Sequence, residues 1–159
     1  MLAAPQQVLG FCFEEAEKAY GVPAELLRAV ARVESGLRVL PPNMNPNGTW
    51  DIGVMRINSS WLPMLGRYGI TQARLERDHC LSVMVGAWVL ASNKASLGPS
   101  WDAVGAYNVG CARLNAVECR RRRQAYAWRV FCAWSRDLRR EHPNCTSPPA
   151  RVDGRQGRP

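Results

Sequence analysis

Two carboxylates stand out by their surroundings. Glu34 lies in the helical segment PAELLRAVARVESG, where Leu27, Val30, Ala31 and Glu34 share one face by i, i+3, i+4, i+7 spacing. A carboxylate in an apolar stripe is costly unless it is paired or neutral. The last helical turn also disfavours negative charge through the helix dipole. Both effects favour the protonated form, which suits general-acid work. The structural alternative is a helix-end Glu that reaches solvent or pairs with Arg32 or Arg38. Asp51 follows the Asn47-Gly48 turn and lies seventeen positions after Glu34. A protonated acid on a helix end facing an ionised acid on a hairpin is the two-carboxylate arrangement of glycoside cleavage. A turn-stabilising Asp is the alternative, and spacing leaves both open.

The elements that must position these acids read as mostly helical. Residues 8–19 have helical character and end at Gly21. Pro23 opens the Glu34 helix and Gly36 is placed to end it. Residues 41–58 lack helical periodicity, and Asn47-Gly48 predicts a small hairpin. Ser59 or Ser60 can cap a short helix to Leu65, and Thr71 another turn. Asp78 opens a long apolar helix to about Leu97, stopped by Gly98-Pro99, and Ser100 caps the segment WDAVGAY. A last, Arg-rich helix is expected over 121–141, with Tyr126, Val130, Phe131 and Trp134 inward. The pattern is α+β, mainly α, with one small β-hairpin.

The chain has 159 residues, of which 47% are hydrophobic and 21% charged, a balance expected of a folded protein. Residues 1–145 are expected to form one domain and 146–159 a disordered basic tail. The apolar run from Val83 to Ala91 is too short to span a bilayer, so no stable membrane insertion is expected. No basic segment followed by an apolar one opens the chain. The net charge of +8 is uneven. Residues 1–110 carry nine Lys/Arg and nine Asp/Glu, whereas 111–159 carry twelve Arg and four acids. Such a segment fits an anionic partner or a solvated helix face. The run Arg120–Arg123 lacks a nucleic-acid-binding motif around it, so nucleic acid is not the expected partner. Six cysteines suggest disulfides and an oxidising compartment, with the pairing left open. A zinc site from Cys119, Cys132, His142 and Cys145 matches no common spacing, so no metal is expected. With two histidines, a Ser-His-Asp triad is not expected, and no Gly-rich phosphate loop is present.

Three blocks occur in order: LLRAVARVESG (Leu26–Gly36), NPNGTWDIGVMRINSSWLP (Asn45–Pro63) and WDAVGAYNVG (Trp101–Gly110). Together they resemble the lysozyme-like lytic transglycosylases associated with type III and type IV secretion and with conjugation. The resemblance covers roughly residues 10–110. It implies a small, helical, lysozyme-like domain with a cleft that cleaves peptidoglycan between N-acetylmuramic acid and N-acetylglucosamine, without a cofactor. Glu34 matches the catalytic acid and Ser35 its usual neighbour. Gly53, Met55, Ile57 and Asn58 match the second motif, which lines the glycan cleft, and Tyr107 and Asn108 match the third. Cys12 and Cys80 occupy positions where relatives often carry a cysteine pair.

The match has departures. Relatives usually carry Gln between Met55 and Ile57, and Arg56 replaces that neutral amide by a cation in the cleft wall. Many lytic transglycosylases lack a second carboxylate; Asp51 sits as in the type III secretion members. The resemblance further implies a periplasmic location, with the signal peptide absent from this sequence, and secretion-system components as partners. A muramidase that hydrolyses the same bond, and a non-catalytic peptidoglycan-binding scaffold, are the competing expectations.

Overall fold

The computed structural model describes residues 10–140 and 142–145. The chain divides into two compact units, Met1–Ser92 and Asn93–Pro159. The expected helix start at residue 8 and the tail 146–159 lie outside the described residues.

In the first unit, α1 (Phe13–Tyr20) begins after Cys12, which sits in the left-handed region at φ 42°, and ends at Gly21. Cys12 is bonded to Cys80, the pairing implied by the family resemblance. The following helix, α2 (Ala24–Ser35), buries Ala24, Leu27, Ala29, Val30, Ala31 and Ser35. Its first N–H groups need outside acceptors, and the Glu17 carboxylate takes the one from Ala24 at 3.1 Å. Gly36, at φ 64°, closes α2 by donating to the Arg32 carbonyl.

The hairpin region forms a three-stranded antiparallel sheet. β1 (Asn43–Met44) pairs with β2 (Trp50–Ile52), and β2 pairs with β3 (Ile57–Asn58). Asn43 faces Asp51, which in turn faces Asn58. Asn58, rather than Ser59 or Ser60, caps the next turn: its Oδ1 accepts from the Ser60 N–H at 3.1 Å. The Ser59 hydroxyl instead accepts from the Trp50 N–H. Two short helices follow, α3 (Leu62–Leu65) and α4 (Gln72–Arg77), the second capped by Thr71.

The long helix α5 (His79–Leu97) is opened by the Asp78 carboxylate, which accepts from the Leu81 N–H at 2.9 Å. Its nineteen residues are long and apolar enough to cross a membrane by length and composition, which corrects the estimate made from the Val83–Ala91 run alone. It serves here as a core helix. Ser82, Val83, Val85, Gly86, Ala87, Val89 and Leu90 are buried in the protein, and Cys80 fastens its first turn to Cys12.

In the second unit, α6 (Trp101–Gly105) is capped by Ser100, and α7 (Ala116–Asp137) by Asn115. The last helix therefore starts five residues before the expected 121 and stops before 141. Asn115 lies outside the Arg-rich stretch that marked the helix, so its capping role was missed. Tyr126 and Val130 are buried in the core, while Phe131 and Trp134 are half-buried. The helices approach closely at Gly105, where a Cβ would come within 2.6 Å of the Arg123 backbone. Trp101, Ala127, Trp128, Phe131 and His142 line an open pocket of about 210 Å³. Cys111 pairs with Cys119 and Cys132 with Cys145, so all three cysteines considered for zinc are in disulfides.

The arginine run divides into separate tasks. Glu118 accepts from both Arg121 and Arg122. Arg123 donates to the Asp102 carboxylate at 2.9 Å and to the Val109 carbonyl at 3.2 Å. Hydrogen bonds from Arg121 and then Arg122 lower the Glu118 pKa from 4.5 to about 2.

Two predictions follow from these contacts. Replacing Cys12 and Cys80 by Ser opens a closure spanning 68 positions, and urea unfolding of this variant should show a loss of about 4 kcal/mol in the chain-entropy model. A loss under about 1 kcal/mol would mean that the bridge does not constrain the unfolded chain. The Glu118 carboxyl should titrate near 2 in carbon-detected NMR of the folded protein. Because its folded pKa is depressed, its stabilising contribution is complete above about 4.5 and is lost as pH falls through about 2. Removing both Arg121 and Arg122 should return the midpoint towards 4.5; a midpoint already there in the intact protein would show that the pairs do not persist in solution.

Candidate active site

Glu34 is the penultimate residue of α2 and is half-buried. The next residue, Ser35, is only 3% exposed. Its hydroxyl lies 3.1 Å from the Ala31 carbonyl of its own helix and 2.8 Å from the Val54 carbonyl. The second contact fastens the helix end that carries Glu34 to the turn joining β2 and β3. Ser35 was expected among the substrate-binding residues; its burial corrects this and makes it a positioning residue.

Gly53 and Met55 are also buried and belong behind the surface. Gly53 has φ 71°, and a Cβ there would come within 2.5 Å of the Leu75 carbonyl and 2.8 Å of the Ser82 hydroxyl. Only glycine combines that dihedral with that approach. The Met55 N–H donates to the Ser82 hydroxyl at 3.2 Å. The Met55 side chain lies over Gly86, where a Cβ would come within 2.5 Å of its terminal methyl. The second motif thus anchors the β2–β3 turn to α5.

Asp51 sits in a polar network on the sheet. Its Oδ1 accepts from the side-chain amides of Asn45 and Asn58, each at 3.1 Å. The same two amides reach the Thr49 hydroxyl, at 3.2 and 2.9 Å. Thr49 turns its own proton to Asn47 Oδ1 at 2.7 Å. One Asp51 oxygen is held by two donors, and this orients the carboxylate. Asn47 was read as a turn residue, and Asn45 and Thr49 were given no role of their own. The missed signal is that amide and hydroxyl side chains at 45, 47 and 49 flank the acid in a strand-paired segment.

Arg56 closes the same turn. It adopts φ 51°, its N–H donates to the Gly53 carbonyl, and its Nη1 donates to the Pro41 carbonyl at 2.8 Å. Tyr107 and Asn108 belong to the second unit, in the turn after α6. Their N–H groups donate to the Val104 and Gly105 carbonyls, Tyr107 being half-buried and Asn108 exposed. The structure thus brings Asp51 and Asn58 into direct contact, and gathers Ser35, Gly53 and Met55 beneath the turn that carries Arg56.

The Glu34-bearing end of α2 is thus joined, through Ser35 and Val54, to the small sheet that carries Asp51. The chain belongs to the transglycosylase SLT domain family, whose model matches residues 11–128. It is 41% identical over 99 residues to invasion protein IagB of Salmonella typhimurium, an alignment that covers 62% of each protein. It is 38% identical over 120 residues to the X polypeptide of Escherichia coli, covering 76% of this chain and 70% of that one. Protein IpgF of Shigella flexneri is 38% identical over 99 residues, covering 62% of this chain and 65% of that one. The match to IagB therefore spans about three fifths of that relative's length.

Ser35→Ala should cost roughly 1–3 kcal/mol in urea unfolding, the range for leaving a buried polar group without its partner. Unchanged stability would show that the Ser35–Val54 contact does not hold the helix end.

Proposed function

We propose that this protein is a peptidoglycan lytic transglycosylase acting in the periplasm, where it opens the wall locally during assembly of a secretion apparatus. The observation that carries this reading is the joint between Ser35 and Val54, which ties the Glu34 end of α2 to the Asp51-bearing sheet. It supports the use of both elements in one reaction. Family membership supports a transglycosylase reaction on peptidoglycan.

In this reading Glu34 donates its proton to the glycosidic oxygen between N-acetylmuramic acid and N-acetylglucosamine. The C1–O bond breaks with oxocarbenium-like character at the muramoyl C1. The C6 hydroxyl oxygen of the same sugar then bonds to C1, and its proton returns to the Glu34 carboxylate. The product is a 1,6-anhydro sugar, and no water is consumed. Asp51, held through Oδ1, stabilises the positive charge that develops at the ring. Asn58 serves by holding Asp51, while Tyr107 and Asn108 are the proposed glycan contacts of the second unit.

One observation favours a second reading. A carboxylate as firmly oriented as Asp51 also suits hydrolysis, in which it stabilises the ring while water attacks C1. The product decides: anhydro ends for transglycosylation, reducing ends for a muramidase.

Digestion of purified sacculi by wild type, Glu34→Gln and Asp51→Asn, followed by mass analysis of the muropeptides, tests both roles. Glu34→Gln keeps the shape but removes the transferable proton, so cleavage should fall at least ~100-fold. Asp51→Asn should cost less, and should lower rate more than binding. An active Glu34→Gln protein sinks the catalytic assignment. Reducing ends from wild type move the reaction to hydrolysis.

A further inference from the structure

Arg56 is a cation without a matching anion. Its guanidinium carries five N–H donors in a planar fork, and the contact made in the structure is a single hydrogen bond from Nη1 to the neutral Pro41 carbonyl. Among the described residues no carboxylate forms an ion pair with it. The side chain is half-buried, and its bond to Pro41 lies at the exposed surface.

Its backbone is equally specific. A non-glycine residue at φ 51° is uncommon, and such conformations persist where the surroundings hold them. Here the hold is visible: the Arg56 N–H is bonded to the Gly53 carbonyl, and the flanking Met55 and Ile57 are buried. The turn is therefore braced from below, with Arg56 at its half-buried corner. Two residues further on, Asn58 binds the Asp51 carboxylate.

We propose that Arg56 is a specificity-determining residue that binds a carboxylate of the glycan strand next to the cleaved bond. The inference rests on the peptidoglycan reading above. A planar guanidinium matches a carboxylate through two parallel N–H···O bonds, which a neutral amide at this position could not offer with charge. The strand offers two sources of that chemistry: the free carboxylates of the peptide stem, and the lactyl carboxylate of muramic acid wherever the stem has been removed. Pro41, in the connection from α2 to β1, fixes one edge of the fork and leaves the remaining donors for the ligand.

The test compares three soluble substrates: strands with native stem peptides, the same strands with their carboxylates amidated, and strands stripped of stems. Wild type should show a kcat/KM at least about tenfold higher on native than on amidated strands, mostly through KM. Arg56→Gln, which keeps a donor for Pro41 but no charge, should collapse that ratio towards one. Arg56→Lys, which keeps charge but not the fork, should recover part of it. The preference should shrink with added salt. A wild-type preference for native over stripped strands would assign the stem carboxylates; a preference for stripped strands, where alone the lactyl carboxylate is free, would assign that group.

Binding separates this inference from the reading beneath it. Calorimetry with Glu34→Gln and with Glu34→Gln/Arg56→Gln on native, stripped and amidated strands needs no turnover. A loss of affinity in the double variant confined to strands with free carboxylates supports the Arg56 site whatever the product chemistry. Native-to-amidated and stripped-to-amidated ratios that are both unchanged by Arg56→Gln, in binding and in kcat/KM, overturn it. Cleavage absent from wild type alongside intact carboxylate-dependent binding would overturn the transglycosylase reading and leave the Arg56 site standing.

Discussion

The hydroxyl of Ser35 is the contact on which the arrangement of the candidate site depends. It sits at the last position of α2, buried, with the Val54 carbonyl 2.8 Å away. A helix ends with carbonyls that lack intrahelical partners, and the chain beyond it is free to leave in many directions. Gly36 sets the exit, and Ser35 fixes where the exit lies against the sheet. Glu34, one residue earlier, inherits that position. The other side of the joint is just as constrained. Val54 belongs to a turn that Gly53 lets approach Leu75 and Ser82, and that Met55 ties to α5 through the Ser82 hydroxyl and Gly86. Disturbing any of these small groups moves the base on which the acid stands.

Asp51 is held by a different device, in which each polar atom limits the next. A hydroxyl has one proton to give. Thr49 gives its proton to Asn47 and so faces the Asn45 and Asn58 amides as an acceptor. Each amide nitrogen carries two protons, enough to reach both Thr49 and Asp51 Oδ1. The proton of Thr49 thereby sets the sense of the network and holds the carboxylate in one orientation. The register supports this, because Asn58 faces Asp51 directly across the pair of strands.

How much of this was legible in the sequence depends on whether the controlling contact was local. Glu34 stood out because helical periodicity placed an acid among apolar residues, and Gly36 because helix ends favour glycine. The hairpin followed from Asn47-Gly48. The roles of Ser35, Gly53 and Met55 were hidden, because a motif read along the chain does not say which of its members face inward. Gly53 is explained by Leu75 and Ser82, and Met55 by Gly86, contacts that span more than twenty residues. Cysteine pairing beyond the family pair was likewise a matter of tertiary position. The extent of α5 was legible from Asp78 and the Gly98-Pro99 stop, but its membrane-spanning length was not, because only the uninterrupted apolar run was counted, whereas the helix also includes polar residues such as Ser82, Ser92 and Asn93.

The basic segment shows most plainly why charge counts and charge positions are different quantities. Arg120–Arg123 occupy the second turn of α7, just beyond the end where the helix dipole disfavours cations. Asn115 caps that end, and Glu118, in the first turn, draws in Arg121 and Arg122. Arg123 turns towards α6, where Asp102 and the Val109 carbonyl receive it beside the close approach at Gly105. Exposed ion pairs of this kind contribute little stability one by one; their effect is to direct the side chains. Three of four consecutive arginines thus have acceptors within their own unit, and the excess charge in the sequence does not amount to a free basic patch at this run. Arg56 differs on both counts: it lies in the charge-balanced part of the chain, and no carboxylate among the described residues neutralises it. A lone cation on the acid-bearing sheet has more capacity to select an anionic substrate than four arginines of which three are already engaged.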